Sequence, residues 1–315
     1  MVVSQSALQT ALAAIVGPAR VRAQAELAPF TTFRVGGPAD YFVEAQSVTE
    51  LHALLAAAHA AGVPVTPLGG GSNVLIADEG IRGVVVRLRL MEISQPNPAV
   101  VRAGAGVTMN GLVRWTIGRG LAGLEAWAGT PGTVGGAIYG NAHYGGRNIG
   151  DMVTSVRLMT RTGVATDVAA DAMEFAYDTS RLQRTRELLV WAEFRVTAGE
   201  PDALRAVARA SLAHRKRTQP LDVPSAGCVF QNPDPARDRV PEGIPPSAGA
   251  LIDRAGLKGH RIGGAMISSA HGNFIVNDGR ATAADIRNLI ETARRTVKDR
   301  FGVELRDEVV RIGEF

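Results

Sequence analysis

Three consecutive glycines stand between two apolar runs in Leu68-Gly-Gly-Gly-Ser-Asn-Val-Leu-Ile-Ala-Asp78. Residues 63–68 read as a strand running in, and residues 74–76 as one running out. Glycine loses the most backbone freedom on folding, so such a run costs stability wherever it stands. What it permits is a tight turn whose N–H groups converge, with no Cβ to hold a partner off. A nest of this kind binds anionic oxygens, and Ser72 and Asn73 add side-chain donors. Two readings fit the stretch taken alone: a cradle for a pyrophosphate, or a turn that connects two strands.

The surrounding pattern is α/β alternation. Residues 47–61 read as a helix in which Ser47 is the cap, Glu50 completes a capping box and Gly62 is the stop. Residues 4–16 read as a short amphipathic helix, and 28–37 as loop and strand. Strands are expected at 84–88 and 100–103, then a helix over 110–119 ended by Gly120. A second glycine-rich loop follows, Gly129-Thr-Pro-Gly-Thr-Val-Gly-Gly-Ala137, leading to Asn141 and the polar tract 143–147. A hairpin over 155–168, a strand at 188–196 and a helix over 202–216 come next. Residues 220–246 are rich in proline and glycine and read as loop. Strands at 262–268 and 273–277 precede a helix over 282–301, capped by Thr282 and Asp285 and closed by Gly302, and a last strand at 303–312.

Composition narrows the function classes. With 46% apolar and 20% charged residues among 315, the chain has the make-up of a globular protein of two or three domains. A net charge of +4 with 5% aromatics and no long basic run argues against nucleic acid and suits an acidic small molecule. One cysteine, Cys228, excludes an internal disulfide and a multi-cysteine metal site, and fits the reducing cytoplasm. Ala23-Gln-Ala25 superficially resembles a signal-peptidase site, but no basic residue precedes Arg20 and polar residues interrupt the apolar stretch, so secretion is not expected. No membrane span is expected either.

Familiar nucleotide signatures fail. Gly104-Ala-Gly106 opens like a dinucleotide fingerprint, but Met109 occupies the third glycine position. There is no P-loop, no His-Glu-x-x-His and no Gly-x-Ser-x-Gly, so no metal site is expected. Two glycine loops about sixty residues apart, lacking those signatures, point to an extended phosphate-bearing ligand held outside a Rossmann fold.

Residue by residue, the chain resembles the UDP-N-acetylenolpyruvoylglucosamine reductase family. The resemblance rests on Thr32-Phe-Arg-Val-Gly-Gly-Pro-Ala39, the two glycine loops, Ala226-Gly-Cys-Val-Phe-Gln-Asn-Pro233, Gly256-Leu-Lys-Gly259, Gly263-Gly-Ala265 and Asn273-Phe-Ile-Val-Asn277, in the family's order over nearly the whole length. It implies an α+β protein: an FAD-binding fold of the vanillyl-alcohol-oxidase type in two lobes, plus a smaller α/β substrate-binding domain. The expected limits are 1–83 and 84–213 for the lobes and 214–302 for the substrate domain, with 303–315 returning to the FAD-binding part. The implied reaction is NADPH-dependent reduction of the enolpyruvyl ether of UDP-N-acetylglucosamine to UDP-N-acetylmuramate, a step of peptidoglycan synthesis, through non-covalent FAD. The tyrosine-bearing insertion of longer members is absent, as in the shorter subclass. A monomer is the working expectation. Two alternatives stay open: a non-catalytic FAD- and UDP-sugar-binding protein, and a flavin oxidoreductase of the same fold with another substrate.

The reaction asks for three things: a flavin held against the substrate, a stabilised enolate and a proton for the α carbon. The resemblance puts Arg34, Gly69, Gly70, Gly71, Ser72, Asn73, Gly129, Pro131, Gly132, Thr133, Gly135, Gly136 and Ala137 on the cofactor. Near-attack distances of about 3–3.5 Å exclude bulky side chains there. Cys228 stands where the family has its proton-donating serine. A thiol, with a pKa of about 8.5, is protonated at neutral pH yet more acidic than a hydroxyl. Glu308 matches the family's C-terminal glutamate and would hydrogen-bond the developing enol. Tyr177, Asn232 and Arg215 are substrate-contact candidates, Arg215 as part of the basic group 215–217 that a solvated helix end also explains. One position departs from the family pattern. In Phe175-Ala-Tyr-Asp-Thr-Ser180, Asp178 stands in place of the family's catalytic arginine, and a carboxylate cannot pair with the substrate's carboxylate. Three outcomes are open: another cation fills in, with Arg181 nearest in sequence, Asp178 turns away, or activity is low.

Overall fold

The computed structural model describes residues 5–315, so Ser4 of the expected first helix lies outside the described residues. Its helices are α1 Gln5–Val16, α2 Val48–Ala60, α3 Met109–Gly118, α4 Val134–Tyr139, α5 Arg181–Thr185, α6 Pro201–Thr218, α7 Ala248–Arg254 and α8 Ala283–Phe301. The chain forms two compact units. The first comprises the residues up to 25, then 39–70 and 82–213; the second comprises 26–38, 71–81 and 214–315. Two short N-terminal segments thus belong with the C-terminal unit, and the first glycine loop is a crossing point between the two.

The first unit is built on two sheets. One has the strand order Val21–Glu26, Pro38–Ala45, Ile81–Leu88, Val65–Leu68, and its last two strands are parallel, with Val65 opposite Val84 and Leu68 opposite Arg87. A parallel neighbour requires a crossover connection, and the chain from Leu68 to Ile81 supplies it. The other sheet is antiparallel, in the order Ala165–Ala169, Val153–Met159, Leu188–Arg195, Val100–Gly104, Ile93–Asn97. Helix α2 buries Leu51, Leu54, Leu55 and Ala58, a stripe at helical spacing. These residues join Leu12, Val86, Val101, Leu112, Trp127 and Phe194 in one apolar core. The start of α2 is fixed twice. Ser47 Oγ accepts the Glu50 N–H at 3.1 Å, and the Glu50 carboxylate takes two bonds from Arg20, at 2.7 and 2.9 Å, and the Gln46 N–H at 2.7 Å.

The second unit has its own core, in which Phe33, Val35, Leu75, Phe230, Leu251, Ile286, Leu289 and Ile290 pack together. An antiparallel sheet of Arg261–Ile262, Ala265–Ile267 and Ile275–Asn277 lies in it. So does a parallel pair in which Val310–Ile312 runs beside Val74–Ile76. Buried polar side chains bind the distant segments of this unit. Asn277 Nδ2 donates to the Phe33 carbonyl at 2.8 Å. Asp78 accepts the first N–H groups of α8, from Ala283 at 2.7 Å and Ala284 at 2.9 Å. Thr282 and Asp285 complete the expected capping box, and Gly302 closes α8 at φ 69°.

Three expectations need correction. No strand forms within 28–37. A 3₁₀ turn over Ala28–Phe30 gives way to irregular chain, because Arg34 and Gly36 sit at φ 57° and 129° and Thr31 Oγ1 donates to the Val35 carbonyl at 2.9 Å. The final strand is Val310–Ile312 only, since the N–H groups of Glu308 and Val309 both turn to the Val229 carbonyl, at 2.8 and 3.2 Å. The end of the second glycine loop is helical, because Thr133 caps α4 by accepting the Gly136 N–H.

The Arg20–Glu50 pair has a pH signature. The hydrogen bond from Arg20 is the leading cause holding the Glu50 carboxyl below its usual range. A depressed folded-state pKa stabilises above the unfolded carboxylate value of about 4.3, and that contribution is lost as pH falls through the folded value. Denaturant unfolding should show Glu50→Gln less stable than the parent by about 1 kcal/mol at pH 7, with the gap closing toward pH 3.

Candidate active site

The two glycine loops meet backbone to backbone. A Cβ at Gly70 would stand 2.7 Å from Gly132 Cα, and one at Gly69 would stand 2.6 Å from Thr133 Oγ1. A Cβ at Gly71, where φ is 63°, would fall 2.0 Å from the Phe30 carbonyl oxygen. The missing side chains at these three positions are therefore required first by the protein's own packing. Among the described residues, the N–H groups of Gly70, Gly71 and Ser72 meet no main-chain acceptor. Asn73 differs: its Nδ2 donates to the Glu308 carbonyl at 3.1 Å.

The second loop is held rigidly. Gly129, at φ 83°, donates its N–H to Asn110 Oδ1 at 2.7 Å, and the Gly132 carbonyl accepts the Met109 N–H at 3.1 Å. Gly135 donates to the Ala105 carbonyl at 2.9 Å. Pro131 and Gly136 are exposed, and a Cβ at Gly136 would meet only Thr133 Oγ1, at 3.9 Å. Thr133 and Ala137 are buried, and Arg34 is exposed.

In the second unit, Cys228 follows Gly227, whose φ of 75° turns the chain so that the thiol is half-buried between buried Ala226 and Val229. Asn273 clamps the next residues. Its carbonyl accepts the Val229 N–H at 2.9 Å, its Oδ1 accepts the Phe230 N–H at 2.9 Å, and its Nδ2 donates to the Phe230 carbonyl at 2.7 Å. The opposite side of this segment runs beside residues 306–309, with the Gln231 N–H on the Arg306 carbonyl and the Glu308 N–H on the Val229 carbonyl. Cys228 and Glu308, far apart in sequence, are thus on adjacent segments, and Glu308 is half-buried.

The substrate-contact candidates fall differently. Asn232 Oδ1 accepts the Ala248 N–H at 3.1 Å and so holds the start of α7. Arg215 is only 6% exposed, whereas Lys216 and Arg217 are exposed, so it is no part of a solvated face. Tyr177 belongs to the first unit and is 43% exposed. Its ring centroid lies 5.0 Å from that of His143, and His143 Nδ1 is 3.0 Å from Asp178 Oδ1. The sequence reading did not single out His143; its signal was a lone histidine in the polar tract behind the second glycine loop. No group of His, Cys, Asp or Glu among the described residues could hold a metal ion. No helix among them is long and apolar enough to cross a membrane.

A fold that brings two glycine loops into contact, with N–H donors that meet no main-chain acceptor on one and a capped helix start on the other, is that of an FAD-binding protein. Residues 39–169 match the model of an FAD binding domain, and residues 219–312 match that of the C-terminal domain of UDP-N-acetylenolpyruvoylglucosamine reductase. Similarity to individual proteins runs the full length. The UDP-N-acetylenolpyruvoylglucosamine reductase of Synechococcus sp. is 40% identical over 94% of this chain and 95% of its own, and that of Chlamydia muridarum is 39% identical over 93% and 94%. The solved structure of the enzyme from Thermus caldophilus superposes with a TM-score of 0.77 at 32% identity, covering 93% of this chain and all of that one. The chain belongs to the UDP-N-acetylenolpyruvoylglucosamine reductase family.

Two glycine variants separate packing from cofactor contact. Gly70→Ala forces the loops apart and should cost about 1–3 kcal/mol in unfolding experiments, together with bound flavin. Gly136→Ala has room and adds helix propensity of about 0.5–1 kcal/mol. It should leave stability intact or raised, while flavin titration shows weakened binding if the cofactor approaches there.

Proposed function

We propose that this chain reduces the enolpyruvyl ether of UDP-N-acetylglucosamine to UDP-N-acetylmuramate, with NADPH as reductant. The observation that carries the reading is the clamped turn holding Cys228 on the segment next to Glu308, in the unit matching the reductase C-terminal domain. The residues of the first unit fit FAD: a turn whose Gly70 N–H meets no main-chain acceptor, packed on a loop that leaves Gly136 open. Bound FAD supplies the hydride, received from NADPH and delivered to the β carbon of the enolpyruvyl group.

The protein's residues supply the rest. Gly69, Gly70, Gly132 and Thr133 hold the cofactor through main-chain donors, and Gly129, its own N–H taken by Asn110, sets the turn of the second loop. The Cys228 thiol gives its proton to the α carbon, where the electron pair displaced by hydride addition collects. Glu308, in its protonated form, donates a hydrogen bond to the developing enol. The thiol acts only if reduced, and we place the protein in the cytoplasm.

Half-reactions test the assignment. Cys228→Ala should leave flavin reduction by NADPH unchanged and slow its reoxidation by the UDP-sugar by about 10²–10⁴-fold, while Cys228→Ser keeps much of the rate. Equal loss in both half-reactions would remove Cys228 from the chemistry. NADPH oxidation with and without the enolpyruvyl UDP-sugar distinguishes the reductase from a silent flavin- and UDP-sugar-binding protein and from an oxidoreductase with another substrate.

A further inference from the structure

Cys228 stands one residue before the main chain that Asn273 clamps. Asn273 meets that chain with three groups at once: its carbonyl and Oδ1 take the N–H groups of Val229 and Phe230, each at 2.9 Å, and its Nδ2 donates to the Phe230 carbonyl at 2.7 Å. Three bonds from one residue require its backbone to be held in one orientation. Asn273 is only 3% exposed, so its own N–H needs an acceptor as well. That acceptor is a side chain, His271 Nδ1, at 3.2 Å. All of these residues belong to the second unit.

The His271 ring is itself wedged in place. The His271 carbonyl accepts the Phe274 N–H at 3.0 Å, closing a turn that sets the imidazole edge-on to the Phe274 ring, with centroids 4.9 Å apart. On the α7 side, a Cβ at Gly249 would stand 3.0 Å from the imidazole Cε1, so a residue without a side chain gives the ring its seat. The charged groups lining the hollow beside it are Asp253 and Lys258, bonded to each other at 2.8 Å. Burial first, and the charge of Lys258 second, hold the imidazole below the ordinary histidine value of about 6.5. The ring is therefore neutral at pH 7, with its proton on Nε2 and the Nδ1 lone pair toward the Asn273 N–H.

The bonds continue on the other side of the clamp. The Val229 carbonyl accepts the N–H groups of Glu308 and Val309, at 2.8 and 3.2 Å, so a shift of Val229 disturbs the segments of both Cys228 and Glu308. We propose that His271 is a positioning residue for Cys228: by accepting the Asn273 N–H it fixes the clamp that places the thiol, and a proton on Nδ1 undoes it. In the imidazolium both ring nitrogens are donors. Nδ1–H would then face the Asn273 N–H, two donors with no acceptor between them at a buried residue, and the clamp must shift to part them. His271 acts only through Asn273 and takes no part in the transfer of hydride or proton. The kinetic consequence rests on the reductase reading; the consequence for the thiol does not.

Two measurements on the full-length, FAD-loaded protein test this. Cys228 is the one cysteine, so alkylation by iodoacetamide at pH 8 reports on it alone. His271→Leu keeps bulk without the acceptor and should speed alkylation about threefold or more. His271→Asn, whose Oδ1 accepts a main-chain N–H two residues on, should match the parent within about twofold. In stopped-flow, His271→Leu should slow reoxidation of the reduced flavin by the enolpyruvyl UDP-sugar about 10–100-fold and leave flavin reduction by NADPH within about twofold. His271→Asn should keep at least about half of the parent's reoxidation rate. The parent's reoxidation should slow as pH falls below about 6.5, and His271→Asn should lose that acid limb, which a merely structural contact would not do. Parent-like alkylation and reoxidation in His271→Leu, equal losses in both half-reactions, or an acid limb unchanged in His271→Asn would overturn the proposal. Should His271→Leu not fold, the parent and His271→Asn compared across pH decide alone. Failure of the reductase reading shows separately: the parent's reduced flavin would then not be reoxidised by the UDP-sugar, while alkylation still reads the clamp.

Discussion

The contact between the two glycine loops is the constraint on which the first unit depends. Gly69 and Gly70 press on Gly132 and Thr133 so closely that one added carbon at either position would overlap a neighbour. At Gly70 main chain packs on main chain and leaves no side chain to adjust, so the separation of the loops is set by the elements that carry them. Residues 65–68 lead into one loop from a parallel strand pair, and α3 leads into the other, its Met109 N–H held by the Gly132 carbonyl. Close packing transmits such placement with little slack. A surface built this way is rigid, and its N–H donors are main-chain groups of fixed direction.

The second unit solves a different problem with different means. Its reactive candidates lie on irregular chain, which backbone ladders cannot hold. Carboxamides and a carboxylate replace the ladder: Asn273 on residues 229 and 230, Asn277 on Phe33, and Asp78 on the start of α8. Asn273 and Asn277 satisfy buried main-chain groups, which would cost about 1–3 kcal/mol apiece if left unpaired, while Asp78 caps the first N–H groups of α8. Cys228 and Glu308 are held in register by these bonds, and the thiol needs no strand to be placed.

Much of this was legible in the residues. The capped helices were, because Ser47, Thr282 and Gly302 act on their immediate neighbours. The glycine loops were legible as loops, and the ordered motifs carried the family resemblance that the full-length similarity bears out. Less legible was the use of each side chain. Asn232 holds a helix start, and Arg215 is buried although it stands in a basic run beside exposed neighbours. The strand expected over 303–312 shrank to three residues because a partner from residue 229 captured its N–H groups.

The amino-acid order determined what depends on near neighbours: where helices begin and stop, where the backbone is free of Cβ, and which kind of chemistry a lone thiol and a set of glycines can serve. Only the tertiary structure decided which distant groups meet. Nothing local tells that Gly70 faces Gly132, that residue 308 lies alongside residue 229, or that the aspartate at 178 takes a histidine from the polar tract as its partner. Those pairings follow from sheet order and from the satisfaction of buried polar groups, both of which are properties of the whole packed chain.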